Sequence, residues 1–204
     1  MIRNNREYRN TGTFEIDGYY VKGYASTFDA YPMYEQDGVT YYERIDRHAF
    51  DNADMSDVVF LKEHTGTVYA RTKNGSINLF VDDHGLAQET NLGLTDGAKE
   101  VREEIAVGNY LTMSFAFTVE RDHYDRETHT RVIDAIRKVF DISCVAFPAN
   151  PYTEIGLSAR DYFNGVIEME QAERLETERR TKERERLLLR VKLMKGETNN
   201  RGNQ

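Results

Sequence analysis

Three side chains in this sequence are of the types that nucleophilic chemistry needs: Ser114, His64 and Asp141. A serine hydroxyl is a weak nucleophile at neutral pH. It needs an imidazole within hydrogen-bond reach to take its proton, and a third group to hold the ring in the right tautomer. Ser114 stands in VGNYLTMSFAFTV (107–119). Leu111, Met113, Phe115, Phe117 and Val119 alternate along one side of that run, the pattern of a buried strand. Thr112, Ser114, Ala116 and Thr118 form an opposite face of small residues. On that face Ser114 is either filler under a close neighbour or a nucleophile held on a rigid strand.

Of the five histidines, His64 is best placed, because it follows the apolar run VVFL (58–61) at a strand end where a loop can aim it into a cleft. His48, beside Ala49 and Phe50, reads as structural; His84 falls in a turn, and His123 and His129 in a polar loop. Asp141 lies in KVFDISCVAFPANP (138–151), where Val139, Asp141, Ser143, Val145 and Phe147 share one face and Phe140, Ile142, Cys144 and Ala146 the other. Buried without a partner, its carboxylate would cost several kcal/mol. A bonded histidine answers that cost, and so does an edge position open to water; both fit the pattern. Cys144 is on the apolar face and reads as a core thiol, not a nucleophile. No histidine pair has HxH or HExxH spacing and the one cysteine has no partner, so no zinc site is expected. Glycine-rich phosphate loops are absent too, and no cofactor is expected.

The elements that must position these residues are mostly strands. Asp17-Gly18 lies between Phe14–Ile16 and Tyr19–Tyr24, and Asp37-Gly38 precedes Val39–Tyr42; both are hairpin signals. Val58–Leu61, Ser76–Val81, Leu86–Thr90, Tyr110–Glu120 and Arg131–Phe147 read as further strands, with Asn74-Gly75 as a turn and Glu120–Thr130 as a polar connection. One segment has helical spacing: Thr95 as cap, apolar Ala98, Val101 and Ile105, and Gly108 as stop. PANP (148–151) ends the last strand, since proline cannot continue a ladder. The fold class expected is α+β, mainly β.

From Val166 to Lys195 the character changes, with Glu, Arg, Lys and Leu dominant and no apolar residue between Glu176 and Arg186. A helix there cannot bury a continuous stripe. Glu170/Arg174, Glu176/Arg180 and Glu178/Lys182 are favourable i,i+4 pairs. We expect a domain over 1–160 and a charged helical extension over 161–204, its tail GETNNRGNQ disordered.

Composition narrows the function classes. With 204 residues, 39% of them apolar, the chain can bury a core. A net charge of −8 argues against binding nucleic acid through phosphates. The N-terminal MIRNNREYRN has no apolar core of a signal peptide, no run reaches membrane-span length, and one cysteine gives no sign of an oxidising compartment. The expectation is a soluble intracellular protein, with neither membrane nor nucleic acid as partner.

Five stretches, in order, resemble the prohead proteases of HK97-type tailed phages. They are IDGYYVKGYASTFD (16–29), RIDRHAF (44–50), VVFLKEHTGTVYAR (58–71), the run HGLAQETN to MSFAF (84–117), and FDISCVAFPANP (140–151). The third is similar to the segment that carries the family's histidine, the fourth ends like its serine motif, and the fifth is similar to its acidic motif. The resemblance implies that Ser114 is the nucleophile, His64 the general base and Asp141 the third member. Ala116 departs from the glycine usual after the serine motif, and Glu63-His64-Thr65 from a usual Asn-His-Asp. The family is similar to the herpesvirus assembly proteases, which implies a β-barrel-like core with packed helices. Activity implied is that of a serine endopeptidase of capsid maturation in the host cytoplasm, inside the immature shell. It would cut the scaffolding segment of the major capsid protein or a separate scaffold, and itself, with a homo-oligomer possible. By position and charge, helix 166–195 is expected to recruit the enzyme into the shell and to be removed on maturation. The competing expectation is a non-catalytic assembly or scaffolding protein of the same fold.

Overall fold

The computed structural model describes residues 6–12, 14–147 and 156–200. It divides into two compact units, Met1–Ala159 and Arg160–Gln204. The first holds eleven described strands and one α-helix in two sheets.

Local chemistry sets the hairpins. β2 (Glu15–Asp17) turns through Gly18 at φ +60° into β3 (Tyr20–Thr27). β4 (Tyr31–Gln36) and β5 (Val39–Ile45) are joined by Asp37 and Gly38, both at positive φ, as a two-residue primed turn demands. β8 (Ile77–Val81) pairs with β9 (Gly85–Asn91), which pairs with β3, so the order β2-β3-β9-β8 makes a four-stranded sheet. Gly85 is required there, because a Cβ would lie 1.9 Å from the Ser26 carbonyl oxygen. Between β9 and the next strand runs α1 (Asp96–Ala106), where the Ala98 N–H donates to the Thr95 side chain as N-cap. Its Ala98, Val101 and Ile105 are buried.

The larger sheet has seven strands. Its path is β1 (Glu7–Gly12), β10 (Thr112–Asp125), β11 (Thr130–Val145), β5, β4. β6 (Val59–Lys62) pairs with β11 and with β7 (Thr65–Arg71). The sixteen-residue β11 organises it: its start runs parallel to β5 and its end parallel to β6. Met113, Phe115 and Phe117 are fully buried, and the last two rings stack at 4.6 Å. Around them the core gathers Ile45, Phe50, Phe60, Leu86, Val101 and Ile142.

Several expectations are corrected. The sheets do not close into the barrel-like core that the resemblance implied: β1 and β4 end one sheet and β2 and β8 the other. Leu111 is 60% exposed and lies before β10, so the apolar alternation starts at Met113. The segment 120–130 is not a long connection. β10 runs on to Asp125, paired with Thr130, because a solvated ribbon tolerates charged residues on its ladder. PANP lies outside the described residues.

The second unit holds most of α2 (Gly156–Asn200). The helix continues through Gly196 to Asn200, over part of the tail read as disordered, since propagating a formed helix is easier than starting one. Along Glu176–Arg186 nearly every side chain is exposed. Arg180 Nε donates to Glu176 at 2.9 Å as the spacing predicts, while Arg174 pairs with Glu178 rather than Glu170. No helix among the described residues is long and apolar enough to cross a membrane.

Candidate active site

The pairing registers bring three sequence-distant residues onto one face of the larger sheet. Ser114 lies directly across from Ser143, and Ala116 across from Asp141, so Asp141 is two residues along the neighbouring strand from the position opposite the serine and shares its face. β6 lies on the far side of β11, with Val59 opposite Asp141 and Lys62 opposite Cys144. Two residues later comes His64.

His64 sits in a strained turn. Lys62 pairs with Thr65, and the two residues between them, Glu63 and His64, have φ of +53° and +56°. This conformation costs side chains with a Cβ on the order of 1–3 kcal/mol each and persists where surroundings over-determine it. Here β11 does so: the Glu63 N–H donates to the Cys144 carbonyl at 3.0 Å, and the Ala146 N–H donates to Glu63 Oε1 at 2.8 Å. The strand that carries Asp141 thus also holds the turn that carries His64.

The three side chains form a continuous chain of hydrogen bonds. His64 Nδ1 is 2.6 Å from Asp141 Oδ1, and His64 Nε2 is 2.7 Å from Ser114 Oγ. An ionised carboxylate can only accept, so Nδ1 carries the ring proton. Nε2 of the neutral ring is then left to accept from the Ser114 hydroxyl. Asp141 is 3% exposed and Ser114 not at all, so the edge-strand reading of Asp141 is excluded.

Sequence reasoning missed two neighbours. Tyr8 of β1, opposite Ala116, stands edge-on to the imidazole with ring centroids 4.6 Å apart. Nothing in the polar stretch around it marked a strand. Ser143 was legible as facing with Asp141, but not as its partner; its Oγ donates to Asp141 Oδ1 at 2.8 Å. The four remaining histidines have other partners: His48 meets Asp51, His123 meets Asp134, His129 meets the Tyr124 hydroxyl, and the His84 ring lies 6.0 Å from that of Tyr24. Cys144 is buried on the opposite face, and burial pushes its thiol up to about 12, which leaves no thiolate at neutral pH. Among the described residues no group of three or more His, Cys, Asp or Glu is arranged to hold a metal ion.

A serine, an imidazole and a carboxylate in this order and at these distances are the constellation that serine hydrolases use on unrelated folds. The comparison with known families narrows that class. The model of the caudovirus prohead serine proteases matches residues 7–166, and the chain belongs to that family. No curated protein and no solved structure matches it. Membership supports a role in maturation of the phage capsid.

Proposed function

We propose that this chain is a serine endopeptidase of capsid maturation with Ser114 as nucleophile, His64 as general base and Asp141 as orienting carboxylate. The observation that carries the reading is the unbroken relay from Ser114 Oγ through both ring nitrogens to Asp141 Oδ1. As Ser114 Oγ attacks a peptide carbonyl, Nε2 takes its proton and Asp141 stabilises the imidazolium. His64 then returns that proton to the leaving amine, which departs as the acyl-enzyme forms. Water, deprotonated by the same nitrogen, releases the acyl group and restores the serine. The substrates are the scaffolding segment of the major capsid protein or a separate scaffold, and the chain itself. The setting is the immature shell in the host cytoplasm.

One observation favours a second reading, a non-catalytic assembly protein of the same family. Ser114 is fully buried and the His64 side chain only 12% exposed, so a peptide reaches the hydroxyl only after neighbouring chain moves aside. Intact mass followed over time separates the two readings. Wild-type chain, with or without capsid precursor, is expected to cut at discrete sites, while Ser114→Ala and His64→Ala slow by about 10⁴-fold or more. Equal behaviour of all three would reject the endopeptidase. The mass lost would show whether α2 is a removable piece.

A further inference from the structure

We propose that Ser143 is a positioning residue of this site, holding the Asp141 carboxylate in the plane and orientation that the imidazole needs. The inference rests on the endopeptidase reading for its catalytic consequence, but its geometry stands independently.

Asp141 Oδ1 is the oxygen that receives His64 Nδ1, and the same oxygen receives the Ser143 hydroxyl. Neither residue is reached by solvent to any extent, Ser143 being 0% and Asp141 3% exposed. Among the described residues Asp141 bonds to no other side chain, so Ser143 is the one protein donor besides His64 that fixes its rotamer. Strand geometry makes this a built feature. Residues two apart on a strand share a face, so the side chain two positions after Asp141 on β11 stands beside the carboxylate. The ladder puts it directly opposite Ser114 on β10. A bulky residue at 143 would crowd the Ser114 side chain directly across the ladder. A residue without a hydroxyl would leave the buried carboxylate with a single donor. Serine is small enough for the first demand and polar enough for the second. Charged groups nearby are otherwise engaged: Glu63 turns to the Ala146 N–H and Lys62 to Glu104.

The test compares full-length wild type, Ser143→Ala and Ser143→Thr. A fluorophosphonate probe reads the reactivity of Ser114, with intact mass and Ser114→Ala verifying the labelled position. The low-field proton resonance of the His64–Asp141 hydrogen bond reads the geometry directly. Removing a hydrogen bond to a charged group should slow labelling of Ser143→Ala by about 10- to 100-fold. Its low-field proton should shift, and its melting temperature should fall by a few degrees, since a buried hydrogen bond to a charged group is lost. Ser143→Thr keeps the hydroxyl and should recover most of the rate and the native resonance. A resonance unmoved in Ser143→Ala overturns the proposal, whatever happens to the rate. If wild type itself resists the probe, the endopeptidase reading fails, while a shifted resonance in Ser143→Ala still upholds the positioning role.

Discussion

The two sheets of the first unit bury their polar side chains in different ways. In the four-stranded sheet the buried polar residues are neutral: Ser26, Gln88 and Thr90. They are satisfied nearby, with Thr90 Oγ1 donating to Gln88 Oε1 and Gln88 Nε2 to the Val21 carbonyl on the adjacent strand. Every charged side chain buried among the described residues lies in the seven-stranded sheet: Glu7, Arg9, Glu43, Arg131 and Asp141. Four of these form one network. Arg9 donates to both Glu7 and Glu43, and Arg131 Nη1 donates to Glu7 at 2.8 Å and Glu43 at 3.0 Å. Desolvation makes such a network a small net contributor to stability, yet the loss of one member is costly because the others stay buried and unpaired. The sheet that carries the site is thus the one whose strands are locked by charge. β1 joins the two clusters, since Glu7 and Arg9 enter the network while Tyr8, between them, meets His64.

The contrast predicts unequal costs for comparable losses. Arg131→Met keeps the packing stem and removes the guanidinium from two buried carboxylates. It should destabilise the first unit by about 3–5 kcal/mol. Thr90→Val removes one donor from Gln88 at nearly constant volume and should cost about 1–2 kcal/mol. Urea unfolding of both variants measures the difference, and equal midpoints would break the comparison.

What the sequence made legible follows the range of the interactions. Asp17-Gly18, Asp37-Gly38 and the Thr95 cap act within a few residues, and the structure has each where the sequence reads it. Alternation likewise marked β10 and β11, whose apolar faces point into the core. β1 escaped notice because its residues are mostly polar, and β7 because Val68, Tyr69 and Ala70 stand together without alternating; β1 is held by its ladder to β10 and by its partners at positions 43 and 131. Pairings that distant leave no local pattern. The barrel expectation failed for the same reason, as sheet closure depends on edges meeting in space. At the site, residue types nominated Ser114, His64 and Asp141 and left Ser114 and Asp141 each with a bland alternative. Their convergence is a matter of register on β6, β10 and β11. The positive-φ turn under His64 had no signal either, since Glu-His is not a usual primed-turn pair.

The charge network also has a pH signature that the neutral sheet lacks. Burial by itself would raise Glu7, but Arg9 and Arg131 outweigh it and hold the carboxyl below its usual 4.5. A carboxylate depressed in the folded state contributes stability that is full above its unfolded value and fades as pH falls through the folded one. The melting temperature should therefore decline as pH drops below about 4.5. Glu7→Gln, less stable at neutral pH, should lose part of that slope, whereas Thr90→Val should keep the wild-type slope. A Glu7→Gln profile parallel to wild type would show that Glu7 does not couple the network to protons.

The smallest expected effect lies where β1 meets the site. Tyr8 presents its ring edge-on to His64, and an aromatic pair of this kind contributes about 0.5–1.5 kcal/mol beyond the area it buries. If that contact helps hold the imidazole between Asp141 and Ser114, Tyr8→Ala should slow fluorophosphonate labelling of Ser114 by about 2- to 12-fold. Tyr8→Phe keeps the ring and should label at nearly the wild-type rate. Both variants should melt close to wild type, because the charge pairs of Glu7 and Arg9 keep β1 in register whatever stands between them. Should Tyr8→Ala melt as early as Arg131→Met, the aromatic contact would itself be holding the strand. The division of labour along β1, charge for attachment and ring for the histidine, would then be lost.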